Sequence, residues 1–434
     1  MNLKTKKIGI IGLGTVGEGT LEILTKERNI IHKKTGVWVD VKKACDLNID
    51  RNFDFDFDKN ILTTDYKEII NDSEISIVVE LIGGDTIAKK IIIDALKSKK
   101  HVVTANKALI AKHSKELFAL ADKNNVKIYY EASVGGGIPI LTPLQESLVG
   151  NNILGIKGII NGTANYILSE MTEKGLAFDK VLADAQSLGY AEADPTFDIE
   201  GIDTAHKITI LSSLAYGGYI DVNNVPVRGI TKITKEDIEF ADKAGYNIKL
   251  LAIAKKDNDE IEISVEPTLI TKKEILASVD GVYNAVEVIG DYVGKTMFYG
   301  KGAGMTPTGS AVVADIVKLA IEDGLKETVQ GEYHYDIKNE LKIKDLKETY
   351  SKYYIRLNVE DKLGILSFIT NVFKENNISI ESVIQNTIKK SSNYTSLILT
   401  THTIKREDLE NSIIELEKEK RVNMDKSIFI KIDN

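Results

Sequence analysis

A glycine-rich turn near the start of the chain restricts its fold more than any other feature. The apolar run KIGIIG, residues 7–12, indicates a short strand, and it leads into G-L-G-T-V-G and then the helical stretch EGTLEILTKE. In such a turn the first glycine permits the tight bend, the second lets a pyrophosphate approach the backbone, and the third lets the helix pack close to its strand. The sequence therefore predicts a dinucleotide site at the N-terminus of this helix, formed by Gly12, Gly14, Thr15, Val16 and Gly17.

Strands and helices continue to alternate after this turn. SIVVELIGG (76–84) and HVVTANKAL (101–109) indicate strands, and TIAKKIIIDALKSK between them indicates a helix. Alternation at this pitch predicts an α/β fold with a Rossmann-type, doubly wound parallel sheet, in which ligands bind at the carboxyl ends of the strands. Thr104 and Lys107 follow one of those ends. We expect both to contact cofactor or substrate.

The residues after the second strand, VWVDVKKACD, bear on the choice of cofactor. An acid at this point accepts the ribose hydroxyls of NAD, whereas a nearby basic residue holds the phosphate of NADP. Asp46 favours NAD and Arg51 favours NADP. Because Lys42 and Lys43 add positive charge close by, the sequence favours NADP slightly, and NAD stays open.

Composition excludes several classes of protein. The chain has 434 residues, a formal charge of −8 and scattered lysines, so no basic surface for nucleic acid is expected. No segment has the apolar length of a signal peptide or membrane span. The single cysteine, Cys45, excludes an intrachain disulfide and fits a reducing compartment, so we expect a cytoplasmic protein.

A second constraint is the acid-rich stretch LGYAEADPTFDIEGIDTAHK, residues 188–207. Asp203 and Lys207 are four positions apart and would share one face of a helix. An exposed pair of this kind contributes only about 0.3–0.5 kcal/mol, which does not explain why the acids continue upstream. Crowded carboxylates are costly unless a cation approaches them. The stretch therefore predicts a site that binds a cationic group or donates a proton.

Five segments together resemble the homoserine dehydrogenase family. They are the opening glycine turn, the acid-rich stretch, IYYEASVGGGIPIL (128–141) with GIINGTANYILSEM (158–171), and GKGAGMTPTGSAVVADI (300–316). The resemblance covers nearly all of the part expected to be catalytic. It implies a small-molecule substrate, because that family reduces L-aspartate 4-semialdehyde to L-homoserine with NAD(P)H in the shared route to threonine and methionine.

The same resemblance implies roles for individual residues. Lys207 matches the proton donor, and Lys107 matches a lysine close to the nicotinamide and the reacting oxygen. An amino-acid ammonium is the group that Glu192 and Asp203 could hold by charge-assisted hydrogen bonds. The remaining matches, to substrate or cofactor positions, are Asp198, Gly189 and Gly304.

A sodium ion is also implied by the resemblance. Glu131 and the backbone carbonyls of Val134, Gly136 and Ile138 match the positions where the family holds this cation. One carboxylate with several carbonyls is a set of hard oxygen ligands suited to it. A glutamate that only supports a glycine turn is the structural alternative.

The C-terminal part has a different pattern. After a charged stretch, NELKIKDLKETYSK, six segments from YYIRLNVE to NMDKSIFIKID follow the order β-α-β-β-α-β of a ferredoxin-like fold. With Asp361 and Gly364 in DKLGIL, this part resembles an ACT domain, although Leu363 replaces the usual proline. The resemblance implies an amino-acid effector such as threonine, or a pairing role without a ligand, in a homodimer or homotetramer.

These features predict four regions. They are a dinucleotide-binding domain over 1–134 completed by 306–330, an α+β domain for substrate and dimerisation over 135–305, a linker over 331–350 and an ACT domain over 351–434. Two other functions stay open. One is a non-catalytic amino-acid sensor, and the other is a Rossmann oxidoreductase acting on a different amino-acid semialdehyde or imine.

Overall fold

The computed structural model describes residues 5–322, 334–385 and 394–433. They form two compact units, each assembled from separate stretches of the chain. One unit contains the described residues of 1–156, 206–224 and 284–341, and the other contains those of 157–205, 225–283 and 342–434. The predicted completion of the nucleotide domain over 306–330 and the predicted linker over 331–350 each lie partly outside the described residues.

The N-terminal stretch forms a parallel sheet with helical connections. Its elements are β1 (Lys6–Ile11), α1 (Thr15–Lys26), α2 (Arg28–Thr35), β2 (Val39–Cys45), β3 (Leu62–Thr63), α3 (Lys67–Ile70), β4 (Ile75–Glu80), α4 (Ile87–Lys97), β5 (His101–Thr104), α5 (Lys107–Asn124) and β6 (Ile128–Tyr129). The strand order is β3-β2-β1-β4-β5-β6, and the paired strands are parallel. This is the dinucleotide-binding order, so the predicted Rossmann-type sheet is confirmed.

One predicted strand is shorter than its sequence pattern indicated. HVVTANKAL was expected to be extended throughout, but β5 ends at Thr104 and α5 begins at Lys107. The cause is local, because the Asn106 side chain accepts the backbone N–H of Leu109 at 3.1 Å and so caps the helix. Lys107 is therefore the first residue of a helix that follows a strand end.

The middle of the chain contains both helices and long strands. Its elements are β7 (Ile153–Ile159), α6 (Gly162–Lys174), α7 (Phe178–Ser187), α8 (Thr196–Ile199), α9 (Ile202–Tyr216), β8 (Gly218–Tyr219), α10 (Lys235–Lys243), β9 (Tyr246–Asp257), β10 (Glu260–Thr271), β11 (Tyr283–Gly290), β12 (Gly294–Lys301) and α11 (Met305–Glu322). Strands β9 and β10 pair antiparallel along their whole length. The expected second sheet is thus present.

Helices α1 and α11 of the first unit pack unusually close together. A Cβ atom added to Gly19 would lie 2.4 Å from the Met305 carbonyl oxygen, and one added to Gly309 would lie 2.9 Å from the backbone of Gly19. Neither position has room for a side chain. Apolar side chains of both helices then join the core formed by β1, β4 and β5.

The C-terminal stretch has the predicted β-α-β-β-α-β order. Its elements are β13 (Asp336–Glu340), β14 (Lys342–Ile343), β15 (Tyr350–Glu360), α12 (Ile365–Glu375), β16 (Ile380–Gln385), β17 (Tyr394–Thr401), β18 (Ile404–Lys405), α13 (Arg406–Leu416) and β19 (Val422–Asp433). The strand order β19-β15-β17-β16 is that of a ferredoxin-like sheet. Strand β10 continues this sheet through a parallel pairing with β19.

This stretch differs in two ways from the sequence-based expectation, once in the predicted linker and once in the turn before α12. The segment predicted as a linker contains β13, which pairs with β8, and β14, which pairs with β10. In the DKLG turn, Gly364 has φ of 86° and directly precedes α12, so the turn forms without the usual proline. Leu363 in the proline position is fully exposed.

No helix in 5–322, 334–385 or 394–433 combines the length and the apolar character that crossing a bilayer requires.

Candidate active site

The glycine-rich turn has the geometry that its spacing predicted. Gly12 has φ of 95°, and a Cβ added there would lie 2.7 Å from the Leu81 backbone. A Cβ added to Gly17 would lie 1.9 Å from the Gly12 carbonyl oxygen, so the helix approaches its strand at this point. Gly14 is different, since a Cβ there would meet no atom within 4 Å. The backbone of Gly14 therefore faces open space at the start of α1, where Thr15 and Val16 offer helix N-terminal N–H groups.

A cavity of about 650 Å³ opens at this turn. Its lining includes Gly12, Gly14, Asp46 and the Gly83–Gly84 pair after β4. A cavity of this size is within the range of small-molecule and cofactor sites. Burial raises the pKa of the Cys45 thiol in its wall to about 11, with the Asp46 charge adding to the effect, so this thiol stays protonated at neutral pH. The residues present fit a bound dinucleotide.

The basic residues that favoured NADP in the sequence are engaged elsewhere. Lys42 pairs with Asp72 at 2.6 Å and with Glu74 at 2.5 Å. Lys43 pairs with Glu68 at 2.5 Å. None of Lys42, Lys43 and Arg51 is among the residues that line the cavity.

Arg51 and Asp46 hold the glycine turn from two sides. The Arg51 guanidinium donates to Glu18 at 2.9 Å and to the Leu13 carbonyl, and it stacks over Phe53. The Asp46 carboxylate accepts the backbone N–H of Leu13 at 2.7 Å. Asp46 therefore both bonds to the glycine turn and lines the cavity. Arg51 bonds to the turn and to Glu18 but does not line the cavity.

A buried glutamate that sequence analysis did not single out lies at the end of β4. Glu80 is fully buried and accepts the Thr104 hydroxyl at 2.7 Å. Burial raises the pKa of Glu80, although hydrogen bonds from Thr104 and backbone N–H groups oppose the shift. Thr104 in turn accepts the backbone N–H of Asn106 at 3.0 Å. These bonds fix the end of β5, and half-buried Lys107 begins α5 three residues after that end. The only sign of Glu80 in the sequence was its position as an acid at the end of an apolar strand.

In the second unit, Asn161 joins two of the acid-rich stretch's carboxylates. Its side-chain NH₂ donates to Asp198 at 2.7 Å and to Asp203 at 2.9 Å. Its side-chain oxygen accepts the backbone N–H of Ala164 at 2.8 Å, so Asn161 also caps α6. Sequence analysis missed Asn161, although a cap residue before a helical run was visible in N-G-T-A-N-Y. One neutral amide between two carboxylates leaves net negative charge that suits an ammonium group.

Helix α9 carries Asp203 and Lys207 one turn apart. It begins after Gly201, which has φ of 81°. Asp203 is 2% exposed and Lys207 is 7% exposed. A buried acid and a buried amine on one helix exclude a solvated surface pair. His206 is buried on the same helix as well.

Two other acids of this stretch are exposed, and a third bonds to a threonine. Glu192 and Asp194 are exposed, and the Asp194 carboxylate accepts the backbone N–H and hydroxyl of Thr196, which lower its pKa. Glu200 accepts the hydroxyl of Thr231 at 3.0 Å. The nearby Gly189 is exposed with φ of 75°, and Gly304, with φ of 129°, directly precedes α11.

The Glu131 carboxylate, predicted as a sodium ligand, is bonded to backbone groups of the protein itself. It accepts the backbone N–H groups of Ile140, Leu141 and Thr142 at 2.6, 2.8 and 2.7 Å. Three donors use most of the lone-pair positions of a carboxylate, so Glu131 holds the backbone of residues 140–142. Within the described residues no group of three or more metal-binding His, Cys, Asp or Glu side chains occurs. No step below passes through a sodium ion.

The parallel sheet and its glycine turn define an NAD(P)-binding oxidoreductase. Family models match the chain in three stretches: the NAD-binding domain of homoserine dehydrogenase over residues 12–131, homoserine dehydrogenase over 139–317 and the ACT domain over 353–420. The chain belongs to the homoserine dehydrogenase family.

Relatives with known names agree with these matches. Homoserine dehydrogenases of Bacillus subtilis and Helicobacter pylori are 40% and 42% identical to the chain, over 94% and 99% of its length and 94% and 100% of theirs. The solved homoserine dehydrogenase of Thiobacillus denitrificans has a TM-score of 0.88 at 40% identity, covering 99% of both chains. A hyperthermophilic archaeal homoserine dehydrogenase in complex with NADPH has a TM-score of 0.61 at 29% identity, covering 73% of this chain and 98% of that one.

Proposed function

We propose that this protein interconverts L-aspartate 4-semialdehyde and L-homoserine with a nicotinamide cofactor, and so serves threonine and methionine biosynthesis. The observation that carries the proposal is that the buried amine of Lys207 lies one helical turn from the carboxylate of Asp203. The Asn161 amide joins this carboxylate to that of Asp198. Family membership and the open backbone at Gly14 support it.

The acid pair provides recognition of the substrate ammonium. Asp198 and Asp203 each accept one hydrogen bond from the Asn161 amide, and we infer that this pair of carboxylates also accepts the ammonium of homoserine. We propose Glu192 as a further acceptor; it is exposed, and its side chain would have to turn toward the bound amino acid. Charge-assisted hydrogen bonds of this kind are about twice as strong as neutral ones.

Lys207 and Lys107 stabilise the negative charge that develops on the oxygen of the reacting carbonyl. The nicotinamide, when bound, supplies the hydride. As negative charge grows on the substrate oxygen, the Lys207 ammonium donates a proton to it, and in the reverse direction Lys207 takes that proton back. Lys107 supplies a second positive charge, which stabilises the same developing alkoxide.

Absorbance at 340 nm tests the proposal directly. The full chain with L-homoserine and either NAD or NADP should produce reduced cofactor. A non-catalytic sensor would bind the same compounds with no change in absorbance. An oxidoreductase for another semialdehyde or imine would reduce its own compound faster than aspartate semialdehyde, and either result would contradict the proposal.

Substitution of Asp203 by asparagine should raise the KM for homoserine by about 10- to 100-fold, because a hydrogen bond to a charged group contributes about 1.5–3 kcal/mol. The KM for the cofactor should be unchanged. Steady-state kinetics at varied homoserine and varied cofactor separates the two. Asp194→Asn is the matched control, since Asp194 belongs to the same stretch but is exposed and bonds locally to Thr196. An equal rise in both KM values would point away from substrate recognition.

We propose NAD as the preferred cofactor. The support is electrostatic: Asp46 lines the cavity, and Lys42, Lys43 and Arg51 are engaged by carboxylates outside its lining. The 2′-phosphate of NADP would then approach a carboxylate without a compensating cation. Asp46→Asn keeps an oxygen for the Leu13 N–H and removes the charge, so it should raise the ratio of kcat/KM for NADP over NAD by about tenfold, or 1.4 kcal/mol.

The control for this change is Asp50→Asn, because Asp50 is exposed in the same loop and does not line the cavity. The Asp50 variant should keep the wild-type cofactor ratio. A wild-type protein that already prefers NADP strongly, or an Asp46 variant with an unchanged ratio, would contradict the role of Asp46.

We propose, finally, a cytoplasmic homodimer or homotetramer whose ACT domain responds to threonine. Support for assembly comes from β16, an edge strand on which Val383 and Ile384 are exposed. A second copy pairing along this edge would cover its unpaired backbone groups. Initial rates with added L-threonine, together with light scattering of the full chain, test both points. We also propose that the chain has four functional regions: a nucleotide domain over 1–134 and 306–330, a substrate domain over 135–305, a linker over 331–350 and an ACT domain over 351–434.

A further inference from the structure

Helix α6 carries a line of buried polar side chains of which the proposed reaction uses only the first. Asn161, Asn165 and Ser169 are spaced four positions apart, so they share one side of the helix. All three are buried. Buried polar groups cost free energy unless they are hydrogen-bonded, and Ser169 accordingly accepts the Gly281 N–H at 3.0 Å. The partners of Asn165 therefore indicate what this line of side chains holds in place.

The Asn165 amide is bonded at both of its ends. Its NH₂ group donates to three backbone carbonyl oxygens of the segment that leads into β11: Val279 at 3.1 Å, Gly281 at 3.0 Å and Tyr283 at 3.1 Å. Its side-chain oxygen accepts the Lys249 ammonium at 3.3 Å. Because carbonyls surround one end and a cation meets the other, only one orientation of the amide satisfies both. Asn165 thus attaches α6 to this segment.

Lys249 strengthens the attachment from strand β9. It is buried, and its ammonium donates to the Val279 carbonyl and to the Asp280 carboxylate, both at 2.7 Å, as well as to Asn165. Burial lowers the pKa of Lys249, but the hydrogen bond from Asp280 and the charge of that carboxylate oppose the shift. The amide of Asn165 is therefore fixed by two elements, β9 and the segment before β11.

The first turn of α6 connects Asn165 to the acid pair, Asp198 and Asp203. The Asn165 backbone N–H donates to the Asn161 carbonyl at 3.1 Å, and the Asn161 side chain donates to both acids at 2.7 and 2.9 Å. All of these residues, with Lys249, belong to the same compact unit. A movement of the turn by about 1 Å away from the acids would stretch both Asn161 bonds past hydrogen-bonding distance.

We propose that Asn165 is a positioning residue for homoserine binding. With Lys249 it holds the first turn of α6 where the Asn161 amide keeps the acid pair together for the substrate ammonium. Asn165 acts through Asn161, so its loss should alter recognition of the amino acid and leave the cofactor site as it is. The effect on homoserine rests on the proposed function, whereas the effect on the helix turn does not.

Two substitutions remove the attachment by different means. Asn165→Leu replaces the amide with an apolar side chain of similar size, and Lys249→Met removes the ammonium. Asn247→Leu is the matched control, because Asn247 lies two positions before Lys249 on β9 and donates to the Ala277 carbonyl at 3.0 Å. The control loses a hydrogen bond of the same kind, but from a side chain on β9 and not on α6.

Hydrogen exchange followed by mass spectrometry of the full chain measures the helix turn itself. The Ala164 N–H donates to the Asn161 side chain, so a peptide covering 160–168 reports on the turn. We expect its protected N–H groups to exchange about tenfold faster in Asn165→Leu and Lys249→Met and at the wild-type rate in Asn247→Leu. Circular dichroism confirms that each variant is folded, and Lys249→Met decides the matter if Asn165→Leu is not. Unchanged exchange in the folded variants would overturn the attachment.

Steady-state kinetics measures the consequence for the substrate. Asn165→Leu and Lys249→Met should raise the KM for homoserine by about tenfold, because a displaced Asn161 weakens hydrogen bonds to charged groups, and the KM for the cofactor should be unchanged. Asn247→Leu should keep both KM values.

A purely structural role would lower stability and leave the KM for homoserine at the wild-type value, or raise both KM values equally. Either result would overturn the positioning role. A chain with no activity toward homoserine, whose helix turn still exchanges faster in Asn165→Leu and Lys249→Met, would remove the proposed function and support the attachment.

Discussion

Replacement of Lys207 by methionine is expected to lower kcat for homoserine oxidation by about 10²- to 10⁴-fold, the range typical for loss of a general acid or base. Methionine keeps most of the side-chain volume and removes the ammonium. Because Lys207 is 7% exposed, solvent is poorly placed to replace the missing proton donor. Fluorescence titration with NAD should give a wild-type dissociation constant, since the glycine turn and Asp46 are unchanged.

A buried lysine elsewhere provides the control for this experiment. Lys100 is 4% exposed and donates to the carbonyl oxygens of Asp72 and Ile75, both at 2.6 Å. It directly precedes β5, whereas Thr104 and the expected ligand end lie at the other end of that strand. Lys100→Met should reduce stability while keeping kcat near wild type. A Lys207→Met protein that retains most of its turnover would remove Lys207 from the acid role.

Replacement of Arg356 by methionine should lower the free energy of unfolding by about 3–5 kcal/mol, the cost of removing one partner of a buried ion pair. Arg356 on β15 donates to Asp237 on α10 at 2.7 and 3.0 Å. The Asp237 side chain has no exposed surface. It also accepts the Tyr354 hydroxyl at 2.6 Å and caps α10 through Thr234, so it cannot turn toward water without breaking those bonds.

The charge on Arg356 persists at any working pH. Burial alone would lower the pKa of Arg356, but its hydrogen bond to Asp237 and the charge of that carboxylate outweigh burial and raise it. The stability difference should therefore be the same across neutral and alkaline pH. Urea unfolding of the full chain, followed by circular dichroism, measures it.

Two further variants make this prediction specific. Arg421→Met breaks a pair with Glu419 near the surface and should leave the unfolding midpoint close to wild type. Asp237→Asn in the Arg356→Met background removes the uncompensated charge and should recover part of the loss. If Arg356→Met were as stable as Arg421→Met, the buried pair would not be what joins β15 to α10.

Much of the fold could be predicted because its signals are local. The spacing of Gly12, Gly14 and Gly17 after an apolar strand indicated the dinucleotide sheet, and the alternation of strands and helices indicated its order. The β-α-β-β-α-β pattern likewise indicated the C-terminal sheet. Errors were also local: β5 stops early because Asn106 caps the next helix, a competing signal three residues from Leu109.

Charge partners were harder to predict. Lys42, Lys43 and Arg51 were interpreted as phosphate ligands because they are close in sequence, but each meets a carboxylate from a distant element. Glu131 was predicted as a sodium ligand from its sequence position alone, and the structure adds three backbone N–H groups nine to eleven positions away as its partners. The charge of a side chain determines which groups it can bind. Which of those groups lies close to it depends on the tertiary fold, because the partners come from elements distant in sequence.

By itself the sequence determined the elements and the chemical character of the site: a glycine turn for phosphates, a helix with an acid and an amine on one face, and an excess of carboxylates before it. These follow from neighbours a few positions apart. Only the tertiary structure decided which carboxylates meet, that Lys207 is buried, and that Asn161 joins Asp198 to Asp203. Asn161 and Asp203 are 42 positions apart, and no local pattern specifies a contact over that separation.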